Sequence, residues 1–211
     1  MFMSATINEQ DGWQPLPLAD ADIRYAASWL DRHEADALFE RLMHEITWER
    51  HRLNLFGREV DPPRLSCWIG DPGTAYTYSR SRFEPRPWTA SLLPLRERVQ
   101  ALCGTPFNSV LANLYRHGQD SMGWHSDDEP ELGTCPVIAS VSLGVERRFR
   151  LRRKSPRGTR AALPLGLSLA HGSVLYMAGD TQRYYQHDLP KVAGVIGARI
   201  NLTFRFINVP A

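Results

Sequence analysis

A histidine and an aspartate separated by one residue, His125 and Asp127, have the side-chain types and spacing that best suit catalysis. In an extended chain this spacing directs both side chains to the same face. They would supply two ligands of a two-histidine, one-carboxylate site, which leaves one side of an Fe(II) ion open. The third ligand must come from further along the chain, where His171 and His187 are available. His187 lies between an apolar run and a Pro-ended turn, and we favour it.

A second set of polar side chains alternates with apolar ones along residues 198–206. The polar face of this predicted strand comprises Arg199, Asn201, Thr203 and Arg205. Such alternation is typical of a half-buried strand, and this polar set favours a pocket over a solvated face. Each guanidinium can bind a carboxylate through two parallel hydrogen bonds, so the pair suits a dicarboxylate. Asn113 and Tyr115 repeat the pattern earlier in the chain, and a dicarboxylate beside Fe(II) predicts 2-oxoglutarate, with O2 as oxidant.

The ordered set of motifs resembles the AlkB family of Fe(II)/2-oxoglutarate dioxygenases over about residues 20 to 208. The matching motifs are Asn113-x-Tyr115, His125-x-Asp127, His187, Arg199-x-Asn201-x-Thr203-x-Arg205 and, upstream, Pro63-Arg64, Gly70-Asp71 and Tyr76-Thr77-Tyr78-Ser79. The resemblance implies oxidative demethylation of alkylated bases in DNA, such as 1-methyladenine and 3-methylcytosine, with release of formaldehyde, succinate and CO2. A 2-oxoglutarate oxygenase acting on RNA, protein or lipid is the alternative. A catalytically silent binding module is disfavoured by the intact set of motifs.

The resemblance also implies how the residues of the site divide their work. The metal ligands would be His125, Asp127 and His187. Arg199 would bind the distal carboxylate of 2-oxoglutarate and Arg205 its keto-acid end, with Asn113, Tyr115 and Asn201 completing the hydrogen bonds.

Recognition of the base is expected to involve an aromatic sandwich, because a base must leave the stack to reach a buried iron. Tyr78 opposite the His125 ring would form the sandwich, and Tyr76 and Glu129 would read the edge of the base. A carboxylate there favours cationic lesions, although Glu129 could equally be a solvated acid in a turn.

Two further residues are candidates for contacts with the nucleic acid. Phe56, beside Gly57, could fill the gap left by the flipped base, or it could cap the core. Arg64 could contact a phosphate or the substrate.

One concentrated basic segment, Arg148–Arg160, follows the predicted metal ligands Asp127 and His125. It could bind phosphate, or it could be an edge strand protected by charge. After His187 only Lys191 is basic in the next turn, which weakens the case for strong duplex binding and leaves single strands open.

Composition sets wider limits on the protein. A chain of 211 residues with a net charge of +2 is expected to form one domain, and this charge by itself indicates no partner. Three widely spaced cysteines form neither a disulfide framework nor a zinc pattern, so we expect a cytoplasmic protein. No apolar run reaches the length of a membrane span, and we expect a monomer.

These residues must be positioned by an α+β fold in which helices precede many short strands. Helices are expected at Arg32–Ile46 and Ser91–Leu102, and a loop at Gly57–Gly73. Strands are expected at Ile23–Leu30, Tyr76–Ser79, Val110–Tyr115, Val137–Leu143, Arg148–Arg152, Leu163–Leu169, Ser173–Met177, Arg183–His187 and Arg199–Ile207. This spacing fits a double-stranded β-helix, or jelly roll, with the N-terminal helices packed on one sheet.

The expected domain organisation follows from these elements. Residues 1–20 would be a loosely ordered tail, and residues 21–211 a single dioxygenase domain. Within it, residues 21–107 would form the helical, substrate-recognition part, and residues 108–208 the jelly-roll core.

Overall fold

Helices and strands account for most of the described chain. The computed structural model describes residues 12–50, 53–55, 58–60, 62–78, 81–156, 158–159, 162–194 and 196–208, with the backbone alone at 53–55, 58–60, 76–78 and 81–83. The helices are α1 (Arg32–Glu45), α2 (Leu92–Cys103) and α3 (Thr181–Tyr184), besides a short 3-10 helix at Pro130–Leu132. None of the helices in these ranges has the length and apolar character needed to cross a lipid bilayer.

The strands alternate with short turns through the second half of the chain. They are β1 (Gln14–Pro15), β2 (Asp22–Ala26), β3 (Leu53–Leu55), β4 (Arg58–Val60), β5 (Leu65–Gly70), β6 (Tyr76–Tyr78), β7 (Ser81–Phe83), β8 (Ser109–Tyr115), β9 (Met122–His125), β10 (Ile138–Gly144), β11 (Arg147–Arg153), β12 (Leu165–Leu169), β13 (Ser173–Ala178), β14 (Tyr185–Leu189) and β15 (Arg199–Arg205).

Local sequence signals explain the two longer helices. The Asp31 carboxylate accepts a hydrogen bond from the backbone N–H of Glu34 at 2.8 Å, a cap that contributes about 1 kcal/mol. Helix α2 ends at Gly104, whose φ of 64° lies in the left-handed region that glycine adopts readily. The buried positions of α1 and α2 are Ala35, Leu38, Leu42, Leu92, Leu95 and Val99.

A large antiparallel sheet carries one wall of the interior. Among the described residues its strand order is β1-β2-β13-β10-β15-β8-β5. On β15, Ile200, Leu202 and Phe204 belong to the same core cluster as the buried faces of α1 and α2. Because side chains alternate along a strand, the polar residues of β15 face the other way, into the interior.

A smaller sheet, with the order β12-β11-β14-β9, forms the opposite wall. A second core cluster joins Ile138, Leu175 and Met177 of the large sheet to Phe149 and Leu151 of the small one. Two facing antiparallel sheets with α1 and α2 on the outer face of one confirm the expected α+β class. They are consistent with the expected jelly roll.

The expectation of a loop at Gly57–Gly73 is wrong. This stretch contains β4 and β5, and β5 pairs with β8 along its whole length. From Ser66 to Gly70 the residues of β5 are buried. A strand covered on both faces shows no polar alternation, so the neighbouring glycines and prolines dominated the prediction.

Several element boundaries also differ from expectation, and the strand expected at Ile23–Leu30 is β2, which ends at Ala26. The first residues of the predicted strand Arg183–His187 belong to α3, and the strand proper is β14. Strand β1 lies inside the predicted tail of residues 1–20 and pairs with β2, so regular structure begins before residue 20.

Candidate active site

Three side chains that could hold a metal ion meet between the two sheets. His125 is the last residue of β9, Asp127 follows in the loop, and His187 on β14 pairs directly with His125. One donor atom from each lies within 4.8 Å of the others. His125 Nε2 is 3.7 Å from Asp127 Oδ1, and the two imidazole centroids are 4.2 Å apart. His171 lies elsewhere, where its Nδ1 accepts from Gly144 N at 2.8 Å.

The protonation of the imidazoles suits metal binding. His125 Nδ1 lies 2.8 Å from the carbonyl oxygen of Gly123, which can only accept, so Nδ1 carries the proton and Nε2 offers a lone pair. Burial lowers the pKa of His125 and, together with the nearby His125 ring, lowers the pKa of His187 to about 3. Both rings are therefore neutral near pH 7, the form that binds metals.

The carboxylate of the group is held as an anion. Burial alone would raise the pKa of Asp127, but the charge of the Arg205 guanidinium opposes burial, and the pKa lies below its ordinary value. Arg205 Nη2 contacts Asp127 Oδ2 at 2.9 Å, and both side chains are buried. Asp127 Oδ1 remains directed towards His125 Nε2.

The predicted dicarboxylate pocket adjoins this cluster. The polar residues that line the same cavity as the three donors are Asn113, Tyr115, Ser140, Asp188, Arg199, Asn201, Thr203 and Arg205. The register explains the convergence, because Arg199 pairs with Tyr115 and Asn201 with Asn113 across β15 and β8. Apolar side chains such as Phe149 and Met177 complete the lining.

Arg199 provides the observation that tests whether a 2-oxoglutarate carboxylate fits. The side chain is 1% exposed, and its Nη2 donates to Ser142 Oγ at 2.9 Å. Nε and Nη1 find no hydrogen-bond acceptor among the described residues. Burial lowers the pKa of Arg199 to about 10, so it remains a cation at neutral pH. A buried cation with unused donors fits a carboxylate ligand.

Several residues of the site were missed from the sequence. Ser140 and Ser142 alternate along β10 and accept from Asn201 at 2.7 Å and Arg199 at 2.9 Å. The two-residue spacing of these serines could have indicated from the sequence that both side chains lie on one face of a strand. Arg147, which reads as part of the basic run, is also buried, but it does not line the cavity, and its guanidinium donates to the backbone oxygens of His117, Asp120 and Pro190.

The structure describes the side chains of only some residues predicted to contact the substrate. Phe56 lies outside the described residues, as do the side chains of Tyr76 and Tyr78, whose backbone forms β6. Arg64 is buried and donates to Asn113 Oδ1 at 2.8 Å, which favours support of this cavity residue over contact with a surface phosphate. Glu129 is half-buried, two residues beyond Asp127.

The basic segment begins as the outer face of β11. Phe149 and Leu151 are buried, whereas Arg148 is exposed and Arg150 and Arg152 are partly exposed, as the alternation predicted. Arg150 and Arg152 stack on the ring of Trp124, 5.1 and 4.0 Å from its centroid. Ion pairs join this segment to three aspartates, with Arg150 paired to Asp188, Arg153 to Asp20 and Lys154 to Asp128. Arg157 and Arg160 lie outside the described residues.

Known proteins are similar to this chain in both sequence and fold. The family model of the 2OG-Fe(II) oxygenase superfamily matches residues 22–205. Human alpha-ketoglutarate-dependent dioxygenase alkB homolog 3 is 40% identical over 184 residues, which cover 85% of this chain and 64% of the relative. The chain thus spans just under two thirds of that relative.

Two further comparisons extend the likeness. Human DNA oxidative demethylase ALKBH2 is 38% identical over 201 residues, covering 92% of this chain and 77% of the relative. The solved structure of OsALKBH1 superposes with a TM-score of 0.61 at 16% identity, covering 92% of this chain and 99% of the other, and it supports the fold alone. On the superfamily match and the identity to ALKBH2, this chain belongs to the AlkB family of 2OG-Fe(II) oxygenases.

Proposed function

We propose that this protein is an Fe(II)- and 2-oxoglutarate-dependent dioxygenase that demethylates alkylated bases in DNA. The observation that carries the proposal is the cluster of His125, Asp127 and His187 beside the buried guanidiniums of Arg199 and Arg205. Relatives named as a DNA oxidative demethylase and as an alpha-ketoglutarate-dependent dioxygenase support it. Bound Fe(II) would supply the oxidation, in which O2 and 2-oxoglutarate give succinate and CO2 while the N-methyl group is oxidised and leaves as formaldehyde, which restores the base.

The chain's own residues bind and orient these groups. His125 Nε2, His187 and Asp127 Oδ1 would hold the metal on one side, and Arg205 keeps the carboxylate charged and correctly turned. Arg199 would bind the distal carboxylate of 2-oxoglutarate with Asn113, Tyr115 and Asn201, and Arg205 would contact the keto-acid end. The apolar lining excludes water from the reacting methyl group.

Recognition of the base belongs to the same proposal. Tyr78 and the His125 ring would sandwich a flipped base, with Tyr76 and Glu129 at its edge. Arg64, which donates to Asn113, would contact the substrate. Phe56 would fill the gap left in the stack. A carboxylate at Glu129 favours bases made cationic by methylation.

A panel of methylated oligonucleotides tests the function directly. Single- and double-stranded DNA and RNA carrying 1-methyladenine or 3-methylcytosine are incubated with Fe(II) and 2-oxoglutarate, and formaldehyde and mass loss are measured. We expect loss of one methyl group per formaldehyde in DNA. Glu129→Ala should lose more activity on 1-methyladenine than on 2-oxoglutarate turnover without substrate. Succinate formation with no demethylation of any oligonucleotide would favour a protein or lipid substrate instead.

The outer face of β11 is proposed to contact the phosphates of the substrate. Arg148 and Arg152 form no ion pair within the described part of the chain, so their charges are available to a polyanion. Replacing both by glutamine should reduce the slope of log Kd against log salt for single-stranded DNA by roughly 1.4, at about 0.7 per phosphate contact.

A matched control distinguishes this contact from general charge. Arg32 and Arg98 lie on α1 and α2, against the opposite sheet, and replacing both by glutamine removes the same charge. The control pair should leave the salt slope unchanged. The edge-strand alternative is wrong, because β11 pairs with β12 on one side and β14 on the other. Equal slopes for the parent and the Arg148 and Arg152 variant would show that the outer face of β11 is only a solvated charged face.

The compartment is proposed from the cysteines. Cys67, Cys103 and Cys135 are all free, which suits a reducing cytoplasm. Cell fractionation with detection of the protein in a non-cytoplasmic compartment would contradict this.

A further inference from the structure

The backbone N–H of Asp127 has an unusual hydrogen-bond partner. Strand β9 ends at His125, so no strand pairing supplies an acceptor at residue 127. The acceptor is the side-chain oxygen of Gln182, at 2.9 Å, and Gln182 is only 2% exposed. The amide nitrogen of Gln182 donates to Met177 Sδ at 3.7 Å, so the orientation of the amide group is determined on both sides.

Helix α3, which carries Gln182, is itself anchored to the large sheet. Thr181 Oγ1 donates to Ala178 O at 2.5 Å and accepts from Asp22 N at 3.1 Å. Met177 and Ala178 belong to β13, and Asp22 begins β2. Gln182 is therefore held from outside the loop that it contacts.

Two more contacts join the loop after β9 to α3 and the start of β14. Ser126 Oγ donates to Tyr185 O at 2.8 Å. Lys154 Nζ donates to Gln182 O at 2.8 Å and to Asp128 Oδ2 at 3.0 Å, and so bridges the two segments. Because α3 leads directly into β14, these contacts tie the segment that carries Asp127 to the segment that carries His187.

We propose that Gln182 is a positioning residue for the metal site, which holds Asp127 in place relative to His187 before any metal arrives. The inference rests on the proposed metal site. A neutral amide suits this position because it accepts the hydrogen bond without adding a second negative charge beside Asp127. Without it, the buried N–H of Asp127 would turn towards another acceptor and carry the carboxylate away from His125.

Removing only the acceptor tests the role of Gln182. Gln182→Met keeps the length and apolar bulk of the side chain but cannot accept the hydrogen bond. Binding of Mn(II) to the protein, which is first freed of other metals, is followed by loss of the electron paramagnetic resonance signal of free Mn(II). We expect the affinity to fall about 10- to 100-fold, the range for loss of a group that orients a metal ligand.

Gln100 offers a matched control elsewhere in the protein. Its side-chain oxygen accepts from the backbone N–H of Phe107 at 2.8 Å, the same type of contact at the end of α2. Gln100→Met should lower the thermal midpoint, since it also leaves a backbone N–H unpaired, but should bind Mn(II) like the parent. If Gln182 contributes only to stability, Gln182→Met and Gln100→Met should bind Mn(II) with the same affinity.

His187→Ala separates failure of the inference from failure of the metal site. If His187→Ala binds Mn(II) like the parent, the proposed metal site is wrong. If His187→Ala loses binding while Gln182→Met retains full affinity, the site stands and Gln182 is not a positioning residue. Should Gln182→Met fail to fold, Thr181→Val removes the hydroxyl that anchors the helix of Gln182 to Ala178 and Asp22. Thr181→Val should lower the affinity for Mn(II), and unchanged binding would overturn the inference.

Discussion

Replacing His187 by alanine should reduce succinate formation to background and weaken Fe(II) binding by more than ~100-fold. Loss of a group that only orients a metal ligand weakens binding by up to about 100-fold, and loss of the ligand itself should cost more. The expected loss is large because His187 is a buried, neutral imidazole that supplies one of three converging donors. Binding is measured by anaerobic titration, and succinate by mass spectrometry. The fold should survive, because the sheets pack through the apolar residues around the site.

His171→Ala is the control for the His187 variant. It removes the other histidine that follows Asp127 in the sequence, which lies away from the donor cluster beside Gly144 and Asp36. We expect nearly full metal binding and turnover from it. Loss of metal binding in His171→Ala with retention in His187→Ala would reverse the ligand assignment.

Replacing Arg199 by methionine should weaken 2-oxoglutarate binding while leaving Mn(II) binding close to that of the parent. Losing one partner of a buried, hydrogen-bonded charge pair costs about 2–5 kcal/mol, which corresponds to roughly 30- to several-thousand-fold in Kd. Arg199 has the unused buried donors that a carboxylate would fill. Isothermal titration with 2-oxoglutarate in the presence of Mn(II) measures the change.

The same substitution should raise the stability of the ligand-free protein. Arg199 is a buried cation whose contacts within the described residues include no carboxylate, so burying it costs desolvation free energy that methionine avoids. The thermal midpoint of Arg199→Met without ligand should therefore rise, and the further rise that 2-oxoglutarate gives the parent should disappear. Arg199→Lys, which keeps the charge but not the forked geometry, should fall between the two in affinity. Unchanged 2-oxoglutarate affinity in Arg199→Met would remove Arg199 from the co-substrate site.

The sequence alone determined the parts of the site that depend on local spacing. His125-x-Asp127 and the alternation from Arg199 to Arg205 could be read directly, because a strand sends every second side chain to one face. The capped helix α1 and the glycine that ends α2 were predictable for the same reason, since each depends on a few neighbouring residues. These patterns indicated the α+β class and the family resemblance.

Only the tertiary structure decided which distant residues meet. The sequence favoured His187 over His171, and the structure gives the physical reason, because β14 pairs with β9 in a register that sets His187 against His125. Strand β5 was missed because burial on both faces removes the alternation that marks a strand. Gln182 lies 55 positions from Asp127, and no local pattern predicts their hydrogen bond. Such contacts are set by strand register and by the packing of one sheet against the other, which depend on the whole chain.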